Sequence, residues 1–309
     1  NEHPHLKSRT HKTPNPWQAG SMIVLLTTGG TIACTHDEAG ALVPTKSGVD
    51  LLEKIKRDDV HVRDLTRLDS SSITLEQLDD LLEEIANALE QSAEKVVVTH
   101  GTDSMEESAF ACDLVTEGPV VFTGAQRPFD DPDPDGLKNL ELALTSQINE
   151  GTHIAFGGKL IPARGARKVH TSDLDAFANP LKDTTRPRPK KREKLSDYYV
   201  PIVAAFPGAP ASVVIDPIRN GANGLVVMGM GSGNVSDEVG DAIVKVREQG
   251  FPVVLSTRVP NGEVHLDYGG QGGGATLANK GVIAAGGFSP AQARIALLTA
   301  LATGTEPQL

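Results

Sequence analysis

From Met22 onward, short apolar runs rich in β-branched residues alternate with stretches whose apolar positions recur three and four residues apart. A strand covered on both faces reads as a continuous apolar run and a covering helix as a one-sided stripe, so this alternation predicts βα units around a parallel sheet. Strands are predicted at 22 to 28, 61 to 68, 95 to 100 and 119 to 124. Between them Leu75, Leu78, Leu82, Ile85 and Leu89 fall at helical spacing, and Thr74 followed by Gln77 predicts a capping box at that helix's start. A further helix carries Met105, Phe110 and Leu114, and another spans 135 to 150 with Leu137, Leu140, Leu144 and Ile148 on one face. Two apolar runs flank Gly157-Gly158 within 153 to 163, which predicts a hairpin closing the first sheet.

Residues 180 to 201 break the pattern with Pro180, Pro187, Pro189, Pro201 and the run Lys190-Lys191-Arg192, and read as a solvated linker. Apolar runs then return at 212 to 215, 225 to 228, 253 to 256 and 282 to 285, alternating with helical patterns at 236 to 248 and 290 to 302. A chain of 309 residues exceeds the roughly 250 to 300 at which single cores stop growing. The expectation is therefore a larger N-terminal α/β domain over 22 to 185, a linker over 186 to 205 and a smaller C-terminal α/β domain over 206 to 309. Residues 1 to 21, polar and carrying His3, His5 and His11, read as a disordered leader or tag.

The formal net charge of −11 leaves no basic face for nucleic acid or an anionic membrane, whereas a small zwitterionic ligand is compatible with it. Cys34 and Cys112 are too few for a disulfide framework and are expected as buried free thiols. With no apolar run near the roughly 18 residues of a membrane span and no signal-peptide core, a cytoplasmic location is expected.

The candidate chemistry sits where predicted strands end. Thr28-Gly29-Gly30-Thr31 follows the first, Asp69-Ser70-Ser71-Ser72 the second and Thr99-His100-Gly101-Thr102-Asp103 the third. Open parallel sheets bind ligands at the carboxyl ends of their strands, and three hydroxyl-rich turns with one carboxylate suit the carboxylate and amine of an amino acid. A threonine hydroxyl becomes a nucleophile only beside a base and donors for the developing oxyanion. Taken singly, the first motif is a tight turn, the serine run a capping loop and Asp103 a helix N-cap. The cluster Gly229 to Gly233 has the wrong spacing for a dinucleotide fingerprint, and His100, His170 and His265 lack metal-ligand spacing, so no cofactor and no metal are expected.

Thr-Gly-Gly-Thr-Ile-Ala at 28 to 33 and Thr-His-Gly-Thr-Asp-Ser-Met-Glu-Glu at 99 to 107 resemble the paired signatures of the bacterial-type L-asparaginase and glutaminase family. The similarity continues through Thr123 to Pro128, Ala163 to Lys168, Thr171 to Phe177, Gly229 to Asn234 and Pro290 to Arg294, in the family's order. The resemblance implies a flavodoxin-like N-terminal domain with a β-hairpin, followed by a smaller α/β domain. It implies hydrolysis of L-asparagine to L-aspartate and ammonia through an acyl-threonine, with any glutaminase activity a minor one. By that resemblance Thr31 is the nucleophile and Thr102, Asp103 and Lys168 form the second catalytic group. Ser70 and Ser71 hold the substrate's α-carboxylate region, the Ala125 carbonyl accepts from the leaving amide, and Asn234 reaches a neighbouring subunit's site in a homotetramer of intimate dimers.

Two departures stand out. Residues 34 to 48 hold no tyrosine, with Leu42 and Val43 near the place where the family's loop carries one, and Gly40 and Gly48 read as hinges of that loop. The glutamate usually supplied by a neighbouring second domain is missing, since Gly269 to Gly274 occupies that region beside Tyr268, Gln271 and Glu263. Rival readings are a non-catalytic amino-acid binding protein, against which Lys168 would be superfluous, and an ammonia-generating amidotransferase subunit, against which the acidic balance speaks.

Overall fold

The computed structural model describes residues 22 to 309, so the expected leader over 1 to 21 lies outside the described residues. The chain opens with β1 (Met22–Gly29), a short hairpin of β2 (Cys34–His36) and β3 (Leu42–Pro44), and α1 (Gly48–Lys54). It continues through β4 (Val60–Leu68), α2 (Leu75–Glu90), β5 (Ala93–Thr99), α3 (Met105–Val115), β6 (Pro119–Thr123), α4 (Gly136–Thr145), β7 (Gly151–Phe156) and β8 (Lys159–Pro162). A two-residue ladder of β9 (Arg167–Lys168) and β10 (Phe177–Ala178) follows. The second half runs β11 (Ile202–Ala204), α5 (Ser212–Arg219), β12 (Leu225–Gly229), α6 (Asp237–Glu248), β13 (Val253–Thr257), α7 (Gly274–Ala278), β14 (Ile283–Ala284) and α8 (Pro290–Thr303).

The first sheet has the order β4-β1-β5-β6-β7-β8, parallel except for the antiparallel β8 of the expected hairpin. Counting only the five parallel strands, this is the flavodoxin-like order, whose direction of winding reverses between β1 and β5. Alternate residues of the central strands feed two cores. Val24, Leu26, Val96 and Val98 pack towards α2 and α3, while Leu25 and Val97 pack towards α1 and α4. That double burial is why these strands read as unbroken apolar runs.

The second sheet, β11-β12-β13-β14, is wholly parallel and belongs to the smaller domain. Its helix α8 is buried on every side, and it joins the two domains: Ile295 and Leu298 lie in the same cluster as Phe110 and Phe122 of the first and Val226 and Val254 of the second. The rings of Phe110 and Phe288 meet at 5.5 Å just before its start.

Three expectations change. The run 212 to 215 belongs to α5, in which only Val214 is fully buried, and a four-residue apolar run cannot by periodicity be told from a strand. α4 stops at Thr145 instead of 150, because Lys95 Nζ reaches the carbonyls of Leu144 and Ser146 at 2.8 and 2.7 Å and caps the helix's negative end. The stretch read as linker is strapped to the first domain and contains β11. Asp79 accepts from the backbone amides of Leu195 and Ser196 at 3.0 Å each, and the Lys190 amide donates to the Leu114 carbonyl at 2.7 Å.

Its firmest anchor is Arg186, whose Nε lies 2.8 Å from Oδ1 of the buried Asp113 and whose Nη2 bonds the carbonyls of Asp113 and Thr116. Asp113 also accepts from the Thr152 amide at 3.1 Å. Arg186→Met would strand a buried carboxylate, and a loss of about 3–5 kcal/mol is expected in chemical denaturation.

Candidate active site

Three strand ends meet backbone to backbone. Gly30 sits at φ 81°, and a Cβ there would lie 2.6 Å from the amide nitrogen of Gly101. A Cβ on Gly101 would in turn lie 2.4 Å from Ser70 Oγ. Only glycine at both positions lets the turns after β1, β5 and β4 touch. Hydrogen bonds then fix them: Thr28 Oγ1 donates to the Thr99 carbonyl at 3.0 Å and the Gly30 amide to the Leu68 carbonyl at 3.2 Å. Ser70 Oγ accepts from the Asp103 amide at 3.2 Å, while its carbonyl accepts from Ser104 Oγ at 2.7 Å. The turns enclose a cavity of about 240 Å³ whose wall includes Thr31, Ser70, Thr102 and Asp103.

Lys168 enters from β9. Its Nζ donates to Thr102 Oγ1 at 2.8 Å and lies 3.2 Å from Asp103 Oδ1. The Asp103 carboxylate is half exposed and open to the cavity. Asp103 is not the N-cap of α3, since Ser104 holds that place. Thr102 is buried and Thr31 half-buried at the head of a single 3-10 turn. The adjacent His100 is kept neutral by burial, in the tautomer whose Nδ1 donates to the Gly101 carbonyl at 2.7 Å.

Thr31, Ser70, Thr102, Asp103 and Lys168 are thus brought together, and the other proposed residues stand apart. Ser71 is exposed and absent from the cavity wall, its amide donating to Asp69 Oδ1 at 3.3 Å. Ala125 is buried against Ile32 and the start of α4. Asn234 lies in the second domain, bridged to Met230, and its buried Oδ1 has no hydrogen-bond partner among the described residues.

Residues beyond the motifs, Cys34, Leu42 and Pro44, also line the cavity, beside Asp69 of the serine turn. Cys34 is half-buried, which corrects the expectation that both thiols are buried. Burial, then the carboxylates of Asp69 and Asp130, pushes its thiol up, and Sγ donates to the Gly30 carbonyl at 3.3 Å. A neutral thiol of this kind is no competitor to a hydroxyl nucleophile. Leu42 lines the cavity from β3, at the place where the resemblance puts a tyrosine. Gly48 is no hinge. It opens α1, its amide donates to Asp64 Oδ1 at 2.8 Å, and a Cβ there would meet Val62 Cγ1 at 2.6 Å.

Comparison with known proteins decides the family. Residues 22 to 187 match the family model described as "Asparaginase, N-terminal", and residues 199 to 309 match the "Glutaminase/Asparaginase C-terminal domain". The chain belongs to the asparaginase family. This membership makes it an amidohydrolase. A probable L-asparaginase of Deinococcus radiodurans is 33% identical, over 91% of this chain and 93% of that protein. A glutamyl-tRNA(Gln) amidotransferase subunit of Methanosphaera stadtmanae is 28% identical, over 89% of this chain and 71% of its own length. The crystal structure of a probable cytoplasmic L-asparaginase from Campylobacter jejuni superposes with a TM-score of 0.80 at 28% identity, covering 94% of this chain and 97% of that one.

In this asparaginase-family chain the second signature ends in two acids, Glu106 and Glu107, on the first turn of α3. Burial, and then the neighbouring Glu106, pushes the Glu107 carboxyl from its ordinary 4.5 up to about 7. A raised carboxyl favours the protonated native state, so its contribution is intact at acid pH and is lost as pH rises from 4.5 through about 7. Glu107→Gln is expected to remove that loss. The stability difference between variant and parent, from denaturation midpoints, should grow in the variant's favour across this window.

Proposed function

We propose that the protein hydrolyses L-asparagine to L-aspartate and ammonia through an acyl-threonine intermediate on Thr31, without a cofactor. The observation carrying this reading is the 2.8 Å bond from Lys168 Nζ to the buried Thr102 Oγ1, in a cavity that Thr31 also lines. A binding site for a zwitterion needs no ammonium held on a second hydroxyl; proton transfer during amide cleavage does.

Thr31 Oγ attacks the side-chain amide carbon, and its proton goes to the departing nitrogen, which leaves as ammonia. Backbone amides of the turns at Gly30 to Thr31 and Gly101 to Thr102 face the developing oxyanion. Water then attacks the ester, the Thr31 hydroxyl re-forms and aspartate leaves. Thr102, held by Lys168 and Asp103, serves the proton transfers. Asp103 also pairs with the substrate's α-ammonium and Ser70 with its α-carboxylate region, the two of these residues that line the cavity. The cavity of about 240 Å³ suits a single amino acid.

We further propose a cytoplasmic homotetramer of intimate dimers in which Asn234 enters the neighbouring subunit's site. The exposed Phe206 and Tyr268 of the second domain support this assembly. No helix among the described residues is long and apolar enough to cross a membrane.

Ammonia release from purified protein with L-Asn, D-Asn and L-Gln tests the reading. Release from L-Asn without a partner protein is expected, and kcat should fall by about 10²–10⁴-fold in Thr31→Ala, Thr102→Val and Lys168→Met. Asparagine binding without ammonia at any pH would return the chain to a binding role, and full activity in Thr102→Val would end the paired-threonine mechanism. Release that appears only with an amidotransferase partner would favour the amidotransferase reading, which the Methanosphaera relative motivates.

A further inference from the structure

β9 pairs with β10 through only two residues, Lys168 opposite Phe177 and Arg167 opposite Ala178. A ladder this short cannot set the position of a lysine backbone by itself. The restraint comes from the second domain and from α3. Arg167 forks onto the carbonyls of Pro260 and Gly287 at 2.5 and 2.6 Å. Gln292, fully buried in the first turn of α8, donates to the carbonyls of Ala163 and Ala166 at 2.8 and 2.9 Å and accepts from the Gly165 amide at 2.8 Å. Glu106 completes the frame: Oε2 accepts from the Lys168 amide at 2.7 Å, and Oε1 accepts from Ser289 Oγ, the N-cap of α8, at 3.0 Å.

The geometry closes a ring. Thr102 lies in the turn leading into α3 and Glu106 in the helix's first turn, four residues on; one takes the side chain of Lys168 and the other its backbone. We propose that Glu106 is a positioning residue for catalysis, which sets the reach of Lys168 Nζ to Thr102 and couples it to the docking of the second domain through Ser289. The proposal rests on the catalytic reading of Lys168 given above. Glu106 touches neither Thr31 nor the cavity wall among the described contacts, so its effect must pass through Lys168.

Steady-state kinetics with L-Asn on Glu106→Ala, Glu106→Gln, Lys168→Met and the double variant Glu106→Ala/Lys168→Met tests it. In Glu106→Ala kcat should fall about 100-fold, the loss expected of a displacement near 1 Å, with KM nearly unchanged because Ser70 and Asp103 stay in place. Glu106→Gln should recover most of kcat, since its amide oxygen still accepts from the Lys168 amide and its nitrogen donates to Ser289 Oγ. In the Lys168→Met background Glu106→Ala should cost nothing further. A loss of equal size in both backgrounds, or a fall in kcat/KM carried by KM, would overturn the proposal. Should Glu106→Ala not fold, Glu106→Asp, which draws the carboxylate back from the Lys168 amide, carries the same cycle. Full activity in Lys168→Met would overturn the catalytic reading and this proposal together. Inactive Lys168→Met beside an unimpaired Glu106→Ala would overturn this proposal alone.

Discussion

The contact on which the site depends is the approach of Gly30 to Gly101, where a methyl group on either would strike backbone or Ser70. It lies between β1 and β5, where the winding of the first sheet reverses and the connections on either side leave a crevice. Strand twist and the reversal open this space in any fold of the class. The glycines narrow it until Thr31, Ser70 and Thr102, carried by three separate turns, share one cavity.

Lys168 is held differently. It sits on a segment with almost no secondary structure of its own, anchored by side chains of α3 and by the N-terminal turn of α8. The second domain therefore enters the active site without supplying a group to the cavity wall. α8 is covered all round because it packs against α3 on one side and the second sheet on the other, and the polar residues at its start, Ser289 and Gln292, are those that grip the lysine segment. A buried glutamine with its amide bonded to four backbone groups resists being pulled apart, since each freed group would be left desolvated.

Much of the fold was legible because double burial writes itself into the chain. The strands at 93 to 99 and 119 to 123 and the capping box at Thr74 and Gln77 stand within a residue or two of expectation. Legibility failed where a distant residue decided the outcome. Lys95 ends α4 from a neighbouring strand, Arg186 turns a proline-rich stretch into a strap, and the four-residue run at 212 to 215 takes a helical form with one buried side. Cys34 and Pro44 carry no motif that marks them as cavity wall; they are there because β2 and β3 converge on the turn after β4.

By itself the amino-acid sequence determined which chemistry was available: two threonine turns, a serine turn, an aspartate and a lysine, in an order resembling one family. Local chemistry sufficed because glycine, hydroxyl and strand-end requirements are short-range and leave their mark within a few residues. Only the tertiary structure decided which of these groups meet. Thr102 and Lys168 are 66 positions apart and Glu106 and Ser289 are 183, and no pattern of hydrophobic and polar residues encodes a distance across so much chain. Those pairings arise when the two cores pack, and the packing of α8 between them sets how far the lysine reaches.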